Sequence, residues 1–142
     1  TRGELAVLVL AAVAYLGVLA VAAPRVAAEP ADAPTALAGR LSALPAGSTV
    51  LVEDGVGSWI EWRTPQLHPV IDGMLDAYPV GYIEDFLAMT RLEPGWGEFV
   101  TGSGATAAVT EVGSPLSTAL VEGLGWRTTA VDGRWVLLLP PS

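Results

Sequence analysis

The sequence predicts an α/β domain behind a single apolar helix, and three observations predict it. Residues 5–23 form an unbroken apolar run (LAVLVLAAVAYLGVLAVAA) without a charged side chain. From residue 36 onward, short β-type runs alternate with helical ones, the pattern of parallel strands covered by helices. Asp132-Gly133 then joins two strand-like runs, the strongest short-range signal for an antiparallel hairpin. The expected architecture is a transmembrane helix over residues 1–23, an Ala/Pro linker over 24–35 and a small three-layer domain over 36–142. Its sheet is expected to be mostly parallel, with a C-terminal antiparallel hairpin.

The apolar run is 19 residues long, close to the roughly 20 that a helix needs to cross a bilayer core. Ala20-Val21-Ala22 resembles a signal-peptide cleavage site. The run is longer than a usual signal h-region, however, and only Arg2 precedes it as a cation, which favours a membrane helix. Arg2 before the run and Arg25 after it leave the orientation undecided by charge. The following residues, 24–35, are rich in Ala and Pro and lack an apolar period, as a stiff linker would.

Leu37, Leu41 and Leu44 recur at helical spacing, and Pro45-Ala46-Gly47 stops that helix. Val50-Leu51-Val52 is a continuous apolar strand over 49–54, the signature of burial on both faces. A short helix over 58–62 carries Trp59, Ile60 and Trp62, and residues 69–72 read as a second buried strand ended by Gly73. Tyr82, Phe86 and Met89 share one face of a helix over 82–92. Pro94 opens a further short helix. Residues 105–110 read as a third strand. Ser114-Pro115 supplies an N-cap and a first-turn proline, Leu116, Ala119, Leu120 and Leu124 a buried face, and Gly125 a C-terminal stop. Strands over 126–131 and 134–139 complete the domain.

Composition removes several function classes. The net charge is −8, which repels phosphate backbones and argues against nucleic-acid binding. There is no cysteine, so thiolate nucleophiles, disulfides and Cys-ligated metals are excluded. His68 is the only histidine and has no spaced partner for a zinc site. Gly55-Val56-Gly57 has Ile60 where a dinucleotide loop needs its third glycine, and Ser58 lies in no G-x-S-x-G elbow. No catalytic residue, metal or cofactor is assigned to the chain.

Acidic residues gather near the predicted strand ends: Glu53, Asp54, Asp72 and Asp76. Open α/β sheets bind ligands at the carboxyl ends of their strands. Asp54 and Asp72 also stand beside Gly55 and Gly73, where an Asp has a purely local role in closing a turn, and that role is the expected one. Five tryptophans supply core or stacking surface; most are expected in the core, with Trp59 or Trp62 the better surface candidate. Asp54, Trp59, Arg63 and Asp72 are the candidate ligand-binding residues.

Four segments together resemble a known pattern: VEDGVGSWIEWR, HPVIDGMLDAYP, YIEDFLAMTRLEPGWGEFV and SPLSTALVEGLGWRTTAVDGRWVLLL. They are similar to the C-terminal extracytoplasmic domain of bacterial multi-spanning membrane proteins of glycosyltransferase-like, lipid-phosphate-sugar-dependent mannosyltransferase type. The resemblance spans about residues 36–139. It rests on Gly57 to Trp62, on Ile71-Asp72-Gly73, on Pro94-Gly95-Trp96, and on Leu120, Gly125-Trp126 and Asp132. Two departures stand out: Met74 replaces an arginine of the family pattern, and Val52 an acidic or Asn position. The resemblance implies that the apolar run is the last membrane helix of a longer protein, with the domain outside the cytoplasm and catalysis elsewhere. The expected partners are the lipid bilayer and a polyprenyl-phosphate sugar or glycan acceptor, which the domain would help hold at the cell membrane. A free-standing, single-pass anchored binding module is the alternative expectation, and a small metal-dependent enzyme using Asp54 and Asp72 a third.

Overall fold

The computed structural model describes residues 2–26, 29–53 and 55–141; within the first helix, the side chains at 2, 5 and 22–26 lie outside the description. The chain forms two compact units, Thr1–Ala31 and Asp32–Ser142.

The first unit is one helix, α1 (Arg2–Val26). It continues three residues past the expected end of the apolar run. The described side chains at 6–21 are exposed throughout. Among the described residues, no helix is long and apolar enough to cross a membrane. The expectation of a transmembrane helix over 1–23 therefore has no support from the fold.

The second unit is α/β. After a 3₁₀ turn (Thr35–Leu37) come α2 (Ala38–Ser42), β1 (Thr49–Val52), α3 (Val56–Arg63) and β2 (His68–Pro69). A second 3₁₀ turn (Leu75–Ala77) leads to α4 (Val80–Thr90), α5 (Trp96–Gly102), β3 (Ala105–Glu111) and α6 (Pro115–Leu124). The chain closes with β4 (Arg127–Asp132) and β5 (Trp135–Leu139). The sheet order is β2-β1-β3-β5-β4. β1 pairs parallel with β2 and with β3, whereas β5 pairs antiparallel with both β3 and β4. The sheet is thus mixed in equal parts rather than mostly parallel. The cause is that β5 folds back from the hairpin turn into the place between β3 and β4.

Val50 to Val52 and Ala107 to Thr110 are buried in succession, so both faces of the sheet are covered there. The chain leaves β1 for β2 in one direction along the sheet and returns past β1 to β3 in the other. Right-handed crossovers then put α3 on one face and α4 and α5 on the other. α6 packs against both β3 and α4, which places it with α4.

Local chemistry accounts for the boundaries. Ser114 caps α6 by accepting the Ser117 backbone N–H at 3.0 Å, and Gly125 ends it in the left-handed region at φ 70°. β2 is shorter than the predicted 69–72. Val70 N still donates to Val50 O at 2.9 Å, but Val70 O accepts from the Tyr82 hydroxyl at 2.6 Å instead of extending the ladder. Pro69 has no N–H to give, which fits an edge strand. In the hairpin, Asp132 pairs with Trp135, so Gly133-Arg134 forms the loop, one residue later than Asp132-Gly133. This shift puts Arg134 at the tip.

Candidate functional site

The carboxyl ends of β1 and β3 lie side by side, and the segments leaving them go to opposite faces of the sheet. In α/β folds such a divergence opens a crevice. Here it holds a cavity of about 410 Å³. One wall is apolar: Ile71 beyond β2, Leu75 from the 3₁₀ turn, and Ile83, Phe86 and Leu87 from α4. Glu53, Glu111 and Ser114 face it from the strand ends and the start of α6.

The two carboxylates are held by the backbone and by one arginine. Glu53 continues the β1 ladder through its N–H to Val109 O at 3.3 Å, and its Oε2 accepts the Glu111 backbone N–H. Glu111 Oε1 pairs with Arg134 Nη2. Arg134 Nη1 also reaches Asp32 Oδ2 at 3.4 Å, and its guanidinium lies 4.9 Å from the centre of the Trp135 ring. The Glu111 hydrogen bond holds the Arg134 pKa above its ordinary value, so its cation is fixed. Trp135 Nε1 donates to Asp32 O, and Ala36 N donates to Asp132 Oδ2 at 2.7 Å. The start of the second unit is therefore tied to the hairpin, and the hairpin to the cavity floor.

The apolar wall rests on an aromatic cluster. Tyr82 stacks on Tyr78 at 5.5 Å and meets Phe99 at 5.5 Å, while Phe86 meets Phe99 edge-on at 6.3 Å. Burial pushes the Tyr78 and Tyr82 hydroxyls above the usual tyrosine value, so both stay protonated at neutral pH. The Tyr78 hydroxyl accepts the Asp72 N–H at 3.2 Å.

The sequence candidates fall in different places. Asp54 lies outside the described residues. Trp59 is only 6% exposed, so it offers no surface for stacking; its Nε1 finds no hydrogen-bond partner among the described residues. Trp62, 61% exposed, is the surface indole of that helix. Arg63 is exposed at the end of α3. Asp72 Oδ1 accepts the Met74 N–H at 2.7 Å, which is the local turn-closing role. The structure brings none of the three described candidates, Trp59, Arg63 and Asp72, into the cavity.

Two of the resemblance segments do meet. A Cβ at Gly57 would overlap the Ile71 carbonyl oxygen, and the Gly73 N–H donates to Ser58 Oγ at 2.8 Å. Glycine at 57 is what lets α3 lie directly on the 71–73 turn, which positions Ile71 in the cavity wall. Glu111 was missed as a site residue. The signal that singles out Glu53, a carboxylate at the end of a strand, applies equally to it. Among the described residues, no group of three or more His, Asp or Glu could hold a metal ion.

No family model, curated protein or solved structure matches this chain.

Proposed function

We propose that this chain is the C-terminal accessory region of a glycosyltransferase-like membrane protein. In this reading α1 is its membrane helix, and the α/β unit stands on the extracytoplasmic side. The unit is not catalytic alone; it holds an acceptor or a lipid-linked donor near the membrane surface. The observation that carries the reading is the cavity at the ends of β1 and β3, where two carboxylates face an apolar wall. Supporting it, residues 6–21 of α1 are apolar on all sides of the helix and exposed, and such a stretch needs an apolar surrounding. The segments that resemble the family also meet in space, through Gly57, Ser58, Ile71 and Gly73.

A second reading, an anchored binding module without transferase activity, is favoured by the compactness of Asp32–Ser142, which has its own core. The test is twofold. The full chain should stay with membranes through alkaline carbonate washing; release into the wash would remove the membrane assignment. In the parent protein, Leu87→Trp, which fills the cavity from a partly exposed position on α4, should abolish sugar transfer without lowering the unfolding midpoint. Unchanged transfer would leave the binding-module reading in its place.

A further inference from the structure

We propose that the cavity at the ends of β1 and β3 takes an uncharged, hydroxyl-bearing ligand with an apolar face, and turns away a phosphate. This rests on the reading of the cavity as a ligand site, and it decides between acceptor and lipid-phosphate donor in favour of the acceptor.

Crevices of this kind ordinarily hold an anion. Where strands end beside a helix N-terminus, backbone N–H groups and the helix dipole attract an anion. In this chain such donors are already engaged: Ser114 Oγ takes the Ser117 N–H of α6, and a carboxylate takes the N–H at the end of β3. Glu53 Oε2 takes the Glu111 backbone N–H, and Ser114, the N-cap of α6, lines the same cavity. A phosphate would enter beside two carboxylates, and among the described residues the lining contains no Arg, Lys or His to receive it. Like charges at that range are repulsive, the more so in a partly desolvated site.

A cation is not demanded either. Arg134 already meets the charge of Glu111, and the Glu111 N–H meets part of that of Glu53. A carboxylate offers about four lone-pair positions, so each retains acceptor capacity after these bonds. Acceptors whose charge is largely met are complementary to hydroxyl donors. Facing them, Ile71, Leu75, Ile83 and Phe86 present hydrocarbon. A pyranoside ring has this two-sided character, with hydroxyls at its edge and C–H groups on its face. The volume, about 410 Å³, suits a small ligand of this kind.

The chain's three isoleucines make the test direct. Ile71 and Ile83 line the cavity, whereas Ile60 is fully buried outside its lining. The full chain, labelled at the isoleucine δ1 methyls and held in lipid nanodiscs, is titrated with hexyl β-glucoside, hexyl phosphate and hexylammonium. Equal tails leave the headgroup as the only variable. The expected result is saturable movement of the Ile71 and Ile83 methyls with the glucoside alone, while Ile60 stays still. In Glu53→Gln, which keeps shape and acceptor, glucoside binding should weaken about tenfold, the difference between a charged and a neutral acceptor. The same variant should begin to bind hexyl phosphate. Stronger binding of the phosphate or the ammonium by the unaltered chain overturns the inference and leaves the cavity a ligand site. Silence from all three probes overturns the ligand-site reading as well.

Discussion

Residues 6–21 of α1 and residues 50–52 of β1 are both uninterrupted apolar runs, yet Leu10 is 69% exposed while Leu51 is fully buried. The difference lies in what each backbone can reach. β1 has unsatisfied ladder groups on both edges, which recruit β2 and β3, and the connecting helices then cover its faces. α1 satisfies its hydrogen bonds internally and recruits nothing by that route. An apolar run therefore specifies a surrounding without saying who provides it. For β1 the chain itself does; for α1, in the proposed function, a bilayer does.

This contrast can be broken by substitution, read from denaturant unfolding of the second unit within the full chain. Leu51→Ala should have the largest effect, a loss of about 2–5 kcal/mol, because it opens a void beneath covered strands. A loss under about 1 kcal/mol would mean that β1 is not the centre of this core. Gly57→Ala comes next, at about 1–3 kcal/mol, since its methyl group must displace the Ile71 backbone. It should also move the Ile71 methyl signal, and an unmoved signal would refute the contact. Ser114→Ala should cost about 1 kcal/mol, the worth of an N-cap; a neutral outcome would mean that the Ser117 N–H is satisfied otherwise. Leu10→Ser should be smallest, within about 0.5 kcal/mol for this unit. A shift as large as that of Leu51→Ala would make α1 part of the same core and end the comparison.

Legibility followed the same division. Elements set by local chemistry were readable: the Ser114-Pro115 start and Gly125 stop of α6, the Phe86 and Met89 face of α4, and the apolar centres of β1 and β3. Features set by long-range partners were not. β2 ends where the Tyr82 hydroxyl takes the Val70 carbonyl, twelve residues away. The parallel content was overestimated because hairpin signals say nothing about where β5 inserts. Trp59 looked like a surface ring because its helix is short and mixed, whereas α3 turns it inward and leaves Trp62 outside. The cavity suffered most. Its carboxylates are 58 residues apart, Glu53 and Glu111, and only the sheet order makes them neighbours.

The central place of β5 has a consequence for the order in which the protein is made. β3 leaves the ribosome with β1 as its only available neighbour, and its second edge stays open until residues 135–139 have been translated. β4, made just before, waits for the same strand. Arg134 likewise arrives 23 residues after the Glu111 it holds. Half the pairings of this sheet depend on β5, and the charge balance at the cavity depends on the turn that leads into it.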